Sequence, residues 1–174
     1  MIDPQIRDLD SASATEISLI AQRMRDTLVE IEGPERGQGM YSLEWLEARV
    51  RWHLDPATAR ARVLVAIDAS GTIVGHTIFR VEGSDGSRYG LVSTTYVVPA
   101  ARRMGIAQEL LDRAEQWFAL EGLDQCCTWT SSGNFPFRSL YTRNGYREVD
   151  AGPNNLTGTA MIKLGKSLAA PPVA

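Results

Sequence analysis

The chain has 174 residues, of which 44% are hydrophobic and 22% charged, and it carries a net charge of −3. The acidic balance argues against binding to nucleic acid through phosphate neutralisation, and the apolar content argues against global disorder. No apolar run approaches the roughly 20 residues of a membrane-spanning helix, and the acidic first residues do not resemble a secretory signal. We therefore expect a cytoplasmic protein with no nucleic-acid and no membrane partner.

The first part of the chain predicts one short strand and one helix. Residues 5–9 carry a strand-like apolar pattern, and Ser13 with Glu16 forms a capping box at the start of the helix. Residues 30–39 hold glycines, a proline and acidic side chains, so a loop is predicted there.

A second helix and three strands follow. Ser42 predicts the N-cap of the helix, which ends before Pro56 because the residue preceding a proline avoids helical geometry. Residues 62–67 are almost continuously apolar, as expected for a strand covered on both faces. Turns rich in Gly, Ser and Asp separate further strands at residues 72–81 and 89–98. These three strands are predicted to form an antiparallel meander.

The rest of the chain predicts a long helix, a strand, a short helix and a hairpin. One apolar stripe runs along residues 106–120 at helical spacing. The other predicted elements are a strand at 125–130, a helix at 136–143, and a hairpin of residues 146–149 and 159–164 across a turn at 152–155. We expect residues 1–166 to form a single domain and residues 167–174 a disordered tail.

The order of these elements predicts the fold class. Meander strands precede a strand–helix–strand crossover, so the sheet contains both antiparallel and parallel pairs. We predict an α+β fold with a mixed, mostly antiparallel central sheet of six to seven strands and helices on both faces.

An anion site is predicted between the meander and the long helix, where residues 102–107 have the sequence RRMGIA. A helix N-terminus attracts anions because its free backbone N–H groups and its dipole point at the ligand. Gly105 lets the backbone approach a phosphate, and Arg102 and Arg103 add positive charge. We expect this loop to bind a pyrophosphate.

Cys126 and Cys127 are the only cysteines, and they are adjacent in a predicted strand. Their side chains point to opposite faces, so a disulfide between them is geometrically poor. They also lack zinc-ligand spacing, so we expect no metal site and two reduced thiols packed as small apolar groups.

Two motifs carry a family resemblance. Residues 102–107 match the pattern Q/R-x-x-G-x-G/A, and residues 134–146, NFPFRSLYTRNGY, resemble N-x-x-A-x-x-L-Y-x-x-x-G-F/Y. Phe137 stands where the second pattern has a small residue, and Tyr146 where it usually has Phe. On these motifs and the element order, the sequence resembles the GNAT family of N-acetyltransferases from about Gln5 to Lys163.

The resemblance implies a binding site for acetyl-CoA as cosubstrate. The fourth and fifth strands are expected to splay apart, commonly at a β-bulge in the fourth strand, and to hold the pantetheine arm in the gap. Backbone groups of Tyr96, Val97 and Val98 are expected to bind that arm, with Asn134 on the opposite wall. The pyrophosphate is expected to contact the side chains of Arg102 and Arg103 and the backbone amides of Met104, Gly105, Ile106 and Ala107.

The implied reaction is transfer of an acetyl group to a primary amine by direct attack in a ternary complex. Tyr141 matches the family tyrosine that lies beside the thioester sulfur and acts as general acid; the alternative is a helix-face aromatic packed under the sheet. The resemblance also implies that a backbone N–H near Val97 or Val98 stabilises the developing oxyanion.

The general base is not identified by the resemblance. Many family members carry a glutamate in the fourth strand, but residues 91–96 contain no carboxylate. Ser93, Thr94 and Thr95 could position a water or bind the acceptor, although neutral hydroxyls are not bases near pH 7. A water chain, or an amine that arrives neutral, is the alternative.

Acidic residues of the 30–39 segment are candidates for binding the acceptor, since this region lines the acceptor cleft in the family. Glu30, Glu32 and Glu35 would attract a cationic amine, unless they form only a solvated acidic loop. His76 is a weaker candidate, because a lone histidine in a strand is more often structural. Trp45 and Trp52 could form either a wall of the acceptor site or a dimer contact.

The sequence thus predicts an acyl-CoA-dependent N-acetyltransferase that acts on a small-molecule or peptide amine, as a monomer or homodimer. The alternative is a non-catalytic acyl-CoA-binding or sensing domain, which the missing strand carboxylate favours. A nucleotide-binding domain is not favoured, because both G-x-x-x-x-G-K-[ST] and G-x-G-x-x-G are absent.

Overall fold

Seven strands and five helices make up the computed structural model, which describes residues 4–168. The strands are β1 (Gln5–Asp8), β2 (Ala61–Ile67), β3 (Ile73–Glu82), β4 (Tyr89–Val97), β5 (Gln125–Ser131), β6 (Arg147–Pro153) and β7 (Ala160–Ser167). The helices are α1 (Ala14–Glu32), α2 (Pro34–Gly39), α3 (Leu43–Leu54), α4 (Ile106–Leu120) and α5 (Phe135–Arg143). A 3-10 turn at Pro99–Ala101 lies between β4 and α4.

All seven strands form one sheet in the order β1-β2-β3-β4-β5-β7-β6. Every neighbouring pair in this order is antiparallel except β4 and β5, which are parallel. A parallel pair needs a crossover connection, and α4 supplies it. The predicted α+β fold with a mixed, mostly antiparallel sheet is therefore confirmed.

Helices cover both faces of the sheet. On one face α4 and α5 pack over a core that includes Phe79 and Phe118, whose rings meet edge to face at 5.6 Å. On the other face α1 and α3 bury a second cluster, which includes Ile20 and Ile78. Both faces of β2 are buried, which explains the continuous apolar run in its sequence.

The start of α1 differs in detail from the predicted capping box. The Ser13 Oγ accepts a hydrogen bond from the Glu16 N–H at 3.2 Å, as predicted. The Glu16 carboxylate, however, binds the Arg7 guanidinium at 2.9 Å and the Asp10 N–H at 3.1 Å. It therefore ties β1 to α1 instead of returning to the Ser13 backbone.

The prediction of a loop at residues 30–39 is wrong. Helix α1 continues to Glu32, and α2 begins at Pro34 after a single residue. Gly33 interrupts the two helices with φ +89°, a left-handed value that glycine adopts without strain. Pro34 occupies the first helical position, where its missing N–H costs nothing. The breakers therefore bend the helical chain without ending it.

The C-terminal hairpin is longer than predicted on both strands. β6 continues to Pro153 and β7 to Ser167, and Leu168 packs against the core on the α4 face. The first two residues of the predicted tail are thus part of the fold, while residues 169–174 lie outside the described part of the chain. Within residues 4–168 no helix is long and apolar enough to cross a bilayer.

Gly37 is predicted to be essential for the packing of α2 against α1. A Cβ at Gly37 would lie 2.5 Å from the Cα and N atoms of Val29, which belong to the α1 backbone and cannot rotate away. We expect Gly37→Ala to lower the free energy of unfolding by about 1–3 kcal/mol in urea titrations. Gly39→Ala is the matched control, because a Cβ there meets no atom within 4 Å. The control should be neutral or slightly stabilising, and equal losses in both variants would contradict this account.

Candidate active site

The sheet opens between β4 and β5. These strands pair only where Gly90, Leu91 and Val92 face Cys126, Cys127 and Thr128. Beyond that point they separate, which confirms the predicted splay. Ser93 forms a β-bulge, because Val92 faces Phe79 and Thr94 faces Ile78, leaving Ser93 without a partner in β3. A bulge bends its strand, so the gap begins at Ser93.

The open edge of β4 presents the backbone of Thr95 and Val97 to the gap. The Val98 N–H donates to the Val74 carbonyl in β3 at 2.9 Å, and the register places Tyr96 opposite His76. Hydrogen-bonding residues alternate along an antiparallel strand, so Tyr96 and Val98 point their backbone groups toward β3. Of the three residues expected to line the gap with backbone groups, only Val97 does so. Because backbone groups of every second residue face the same edge of a strand, Thr95 faces the gap together with Val97.

The loop before α4 carries free donors beside open space. The first hydrogen bond of the helix runs from the Glu109 N–H to the Gly105 carbonyl at 3.0 Å. The N–H groups of Ile106, Ala107 and Gln108 therefore precede the hydrogen-bond ladder of α4. Gly105 has φ +83°, and a Cβ there would meet no atom within 4 Å. This arrangement of donors and space fits a phosphate group. Gln108 was not among the predicted ligands.

The two loop arginines differ in their surroundings. Arg103 is exposed, and among the described non-glycine residues it alone has a positive φ, +64°. Arg102 instead reaches the edge of β4, where its Nε donates to the Val97 carbonyl at 2.7 Å and its Nη2 to Glu30 at 2.7 Å. Its guanidinium lies 5.4 Å from the centre of the Tyr96 ring. In this structure Arg102 therefore contacts Val97 and Glu30, which lie away from the free N–H groups at the start of α4.

Tyr141 lies at the point where the gap begins. Tyr141 shares a core cluster with Val92, the last paired residue of β4, whose carbonyl accepts a hydrogen bond from the Thr128 hydroxyl at 2.9 Å. The Tyr141 ring is only 1% exposed, and burial raises the pKa of its hydroxyl. It is stacked on Phe137 at 4.6 Å, so the phenylalanine that departs from the family motif supports this ring. Thr128 was not predicted.

The remaining residues of the second motif have structural contacts. Asn134 caps α5 by accepting a hydrogen bond from the Phe137 N–H at 3.4 Å. The Tyr146 hydroxyl donates to Glu115 at 2.9 Å and lies 3.1 Å from the Cys126 sulfur. Burial raises the pKa of Cys126 to about 11. Both cysteines are buried and free, as predicted.

Two of the three candidate acidic residues are already paired. Glu30 binds Arg102, and the Glu32 carboxylate accepts hydrogen bonds from Thr159 at 2.7 Å and Thr157 at 3.3 Å. Glu35 is exposed. The last turn of α1 therefore spans the gap, with Glu30 attached to the β4 side and Glu32 to the segment that precedes β7.

The three candidate hydroxyl residues do not converge. The Thr95 hydroxyl lies 2.9 Å from that of Thr77, which shares the α4 face of β3 with Phe79. Thr94 therefore points to the α1 face, while Ser93 is exposed at the bulge. No carboxylate joins them on residues 91–98.

His76 is buried beneath α1, beside the Tyr96 ring at a centroid distance of 6.4 Å. Neither ring nitrogen has a hydrogen-bond partner in the described structure. Burial, with a smaller effect of the Arg23 charge, lowers the pKa of His76 to about 3. The imidazole is therefore neutral at physiological pH and is a weak base.

A cavity of about 440 Å³ lies between α2 and the segment that joins β6 to β7, next to the contacts of Glu32. Its lining residues are Arg36, Gly39, Met40, Leu156 and Thr157. The two candidate tryptophans have partners in or beside α3: Trp45 stacks on Tyr41 at 4.2 Å, and the Arg49 guanidinium covers Trp52 at 4.2 Å. Residues 4–168 contain no group of three or more His, Cys, Asp or Glu side chains that could hold a metal.

The chain matches the sequence model of a known protein family. The sequence model of the acetyltransferase (GNAT) family matches residues 22–146, which is more than half of the chain. No curated protein matches the sequence.

Solved structures share the whole fold at low sequence identity. An acetyltransferase of the GNAT family from Streptococcus pneumoniae aligns over 96% of this chain and 100% of its own, with a TM-score of 0.72 and 16% identity. Spermidine N-acetyltransferase from Vibrio cholerae, in complex with CoA and spermine, aligns over 95% and 96%, with 0.72 and 16%. The ribosomal-protein-S18-alanine N-acetyltransferase from Escherichia coli aligns over 97% and 96%, with 0.68 and 13%.

The buried imidazole of His76 is expected to make the free energy of unfolding depend on pH in the acid range. Folding lowers its pKa from about 6.5 to about 3, so below pH 6.5 the unfolded chain binds a proton that the folded chain does not. Stability from this group is fully present above pH 6.5 and is lost as the pH falls toward 3. Between about pH 7 and about pH 4.5, His76→Leu should lose less unfolding free energy than the wild type, by on the order of 2 kcal/mol. Parallel pH dependences in urea titrations of the two proteins would contradict this account.

Proposed function

Because this chain belongs to the GNAT acetyltransferase family, we propose that it transfers an acetyl group from acetyl-CoA to a primary amine by direct attack in a ternary complex. The observation that carries this proposal is the gap between β4 and β5, with the free N–H groups at the start of α4 beside it. We further propose a cytoplasmic enzyme that acts as a single domain reaching at least to residue 168, as a monomer or homodimer.

The donor is bound mainly by backbone groups. The N–H groups of the 103–108 segment hold the pyrophosphate, and the gap-facing backbone of Thr95 and Val97 pairs with the pantetheine amides as an added strand would. Asn134 contributes from the α5 side of the gap. Bound in this way, acetyl-CoA supplies the activated thioester.

Tyr141 acts as the general acid. The amine nitrogen forms a bond to the acetyl carbon while the C–S bond breaks, and the phenol donates its proton to the departing sulfur. The raised pKa of Tyr141 keeps the hydroxyl protonated throughout the physiological range. The Thr95 N–H points into the gap and stabilises the carbonyl oxygen as it gains negative charge, which leaves the Thr95 carbonyl and the Val97 backbone for the pantetheine arm.

The proton of the attacking amine leaves through water, or before the amine binds. Residues 91–98 offer no carboxylate, and the neutral hydroxyls of Ser93, Thr94 and Thr95 are not bases at neutral pH. His76 does not replace the carboxylate, because burial lowers its pKa to about 3.

The acceptor enters from the side of α1, α2 and the β6–β7 segment. Glu30 and Glu32 lie there, beside the cavity lined by Arg36, Met40 and Leu156. The carboxylates attract a cationic amine. Structural neighbours include enzymes named for spermidine and for a protein alanine, and either a small-molecule or a peptide amine suits this site.

A non-catalytic acyl-CoA-binding domain is the second candidate function, favoured by the missing carboxylate of β4. Calorimetric titration with acetyl-CoA, followed by a thiol-detection assay with a broad amine panel, separates the two. We expect binding together with release of free thiol for at least one amine class, and loss of both in Gly105→Glu, whose side chain would fill the phosphate space. Binding without thiol release for any amine favours the second candidate, and retained binding in Gly105→Glu overturns the loop assignment.

Tyr141→Phe tests the general acid. The variant keeps the ring that packs against Phe137 and Tyr146 and loses only the proton donor. We expect kcat to fall at least about 100-fold while the Kd for acetyl-CoA stays within about twofold. Phe137→Leu is the packing control, since it removes the stacked ring and keeps the phenol. An unchanged kcat in Tyr141→Phe would reduce Tyr141 to a packing residue.

A further inference from the structure

The guanidinium of Arg102 connects the strand that borders the gap to the helix on the acceptor side. Its Nε donates to the Val97 carbonyl at 2.7 Å, and its Nη2 donates to Glu30 at 2.7 Å. The same group lies 5.4 Å from the Tyr96 ring on the α1 face. Arg102 thus contacts both sides of the proposed reaction centre at once.

The Val97 carbonyl is also needed by the coenzyme in the proposed function. It faces the gap, where a strand-like partner would lie about 4.8 Å from β4. The Arg102 Nε already donates to that oxygen at 2.7 Å, so a bound pantetheine arm and Arg102 would share the Val97 carbonyl as acceptor.

The pyrophosphate offers Arg102 a stronger partner than Glu30. Glu30 is a single carboxylate whose side chain is 44% exposed, and ion pairs of that kind contribute little because solvent screens them. A pyrophosphate carries two charges and accepts bidentate hydrogen bonds from a guanidinium. Arg102 precedes Gly105 by only three residues, so its side chain belongs to the same loop as the phosphate donors.

We propose that coenzyme binding displaces Arg102 from Val97 and Glu30 to the pyrophosphate, and that the released Glu30 then binds the ammonium group of a cationic acceptor. This inference rests on the proposed function. It restricts the acceptor class to amines that carry a positive charge when they bind. The neutral amine needed for attack forms afterwards, by loss of a proton to water.

The first test measures coenzyme A binding alone, by calorimetry. In Glu30→Gln, Arg102 loses its ionic partner and is displaced more easily, so coenzyme A should bind about threefold to tenfold more tightly. Asp26→Asn is the matched control. Asp26 lies one turn earlier in α1, its charge also raises the pKa of Tyr96, and its side chain bonds to Gln22 at 3.1 Å instead of Arg102. The control should change the Kd by less than about twofold.

A double-mutant cycle with Arg102→Gln identifies the route of the effect. In the Arg102→Gln background, Glu30→Gln should no longer change the Kd for coenzyme A, because the group that it releases is gone. An equal gain in both backgrounds would show a general charge effect and overturn the inference, as would an unchanged or weaker Kd in Glu30→Gln. If the wild-type protein does not bind coenzyme A, the proposed function itself fails.

Discussion

The three-residue parallel pairing of β4 and β5 is the constraint on which the site depends. Gly90 to Val92 hold the strands together, and the bulge at Ser93 turns β4 away before a fourth pair can form. Beyond the bulge β4 stays paired with β3 along one edge, while its other edge is free. A free strand edge is normally a liability, and here it becomes a row of aligned backbone groups.

Helix α1 compensates for the opening. Beyond the last β4–β5 pair, the two halves of the sheet would otherwise be connected only by α4 and α5, which pack on the face opposite α1. The last turn of α1 adds a connection there, through Glu30 to the β4 side and through Glu32 to Thr157 and Thr159. α2 folds directly back on α1 at Gly37, which fixes where that turn lies. The proposed acceptor side is thus defined by side-chain contacts between segments far apart in sequence.

The sequence predicted the fold more completely than the site, for physical reasons. Helical and strand periodicities are local, so α4 is predicted at its observed bounds, and the family motifs identify the loop before it. The prediction for the segment from Glu30 to Gly39 was wrong because Gly33 and Pro34 end helices in most contexts. Here they form a sterically allowed junction between two helices. Helix packing decides between these outcomes, and it is not local.

The arrangement around Arg102 and Thr95 was beyond sequence reasoning for a different reason. Charge and motif position place Arg102 among phosphate ligands, but its partner Glu30 lies 72 positions away along the chain. The sequence suggests Thr95 as an acceptor ligand through its hydroxyl. In the structure that hydroxyl contacts Thr77, and it is the Thr95 backbone that faces the gap. The free edge of β4 is determined by β3, which stays paired with it, and by β5, which separates from it. Both relations become visible only in the assembled sheet.

The proposed donor site consists of main-chain atoms, which has a consequence for sequence divergence. The edge of β4 and the first turn of α4 present the same N–H and carbonyl groups whatever side chains they carry, provided that the bulge and the left-handed Gly105 persist. Other side chains along this edge can therefore vary while the backbone groups keep their positions, and solved structures with 13–16% identity share the fold. The proposed acceptor side, formed by α1, α2 and the β6–β7 segment, depends on side chains instead, so each exchange there changes the surface that an amine would meet.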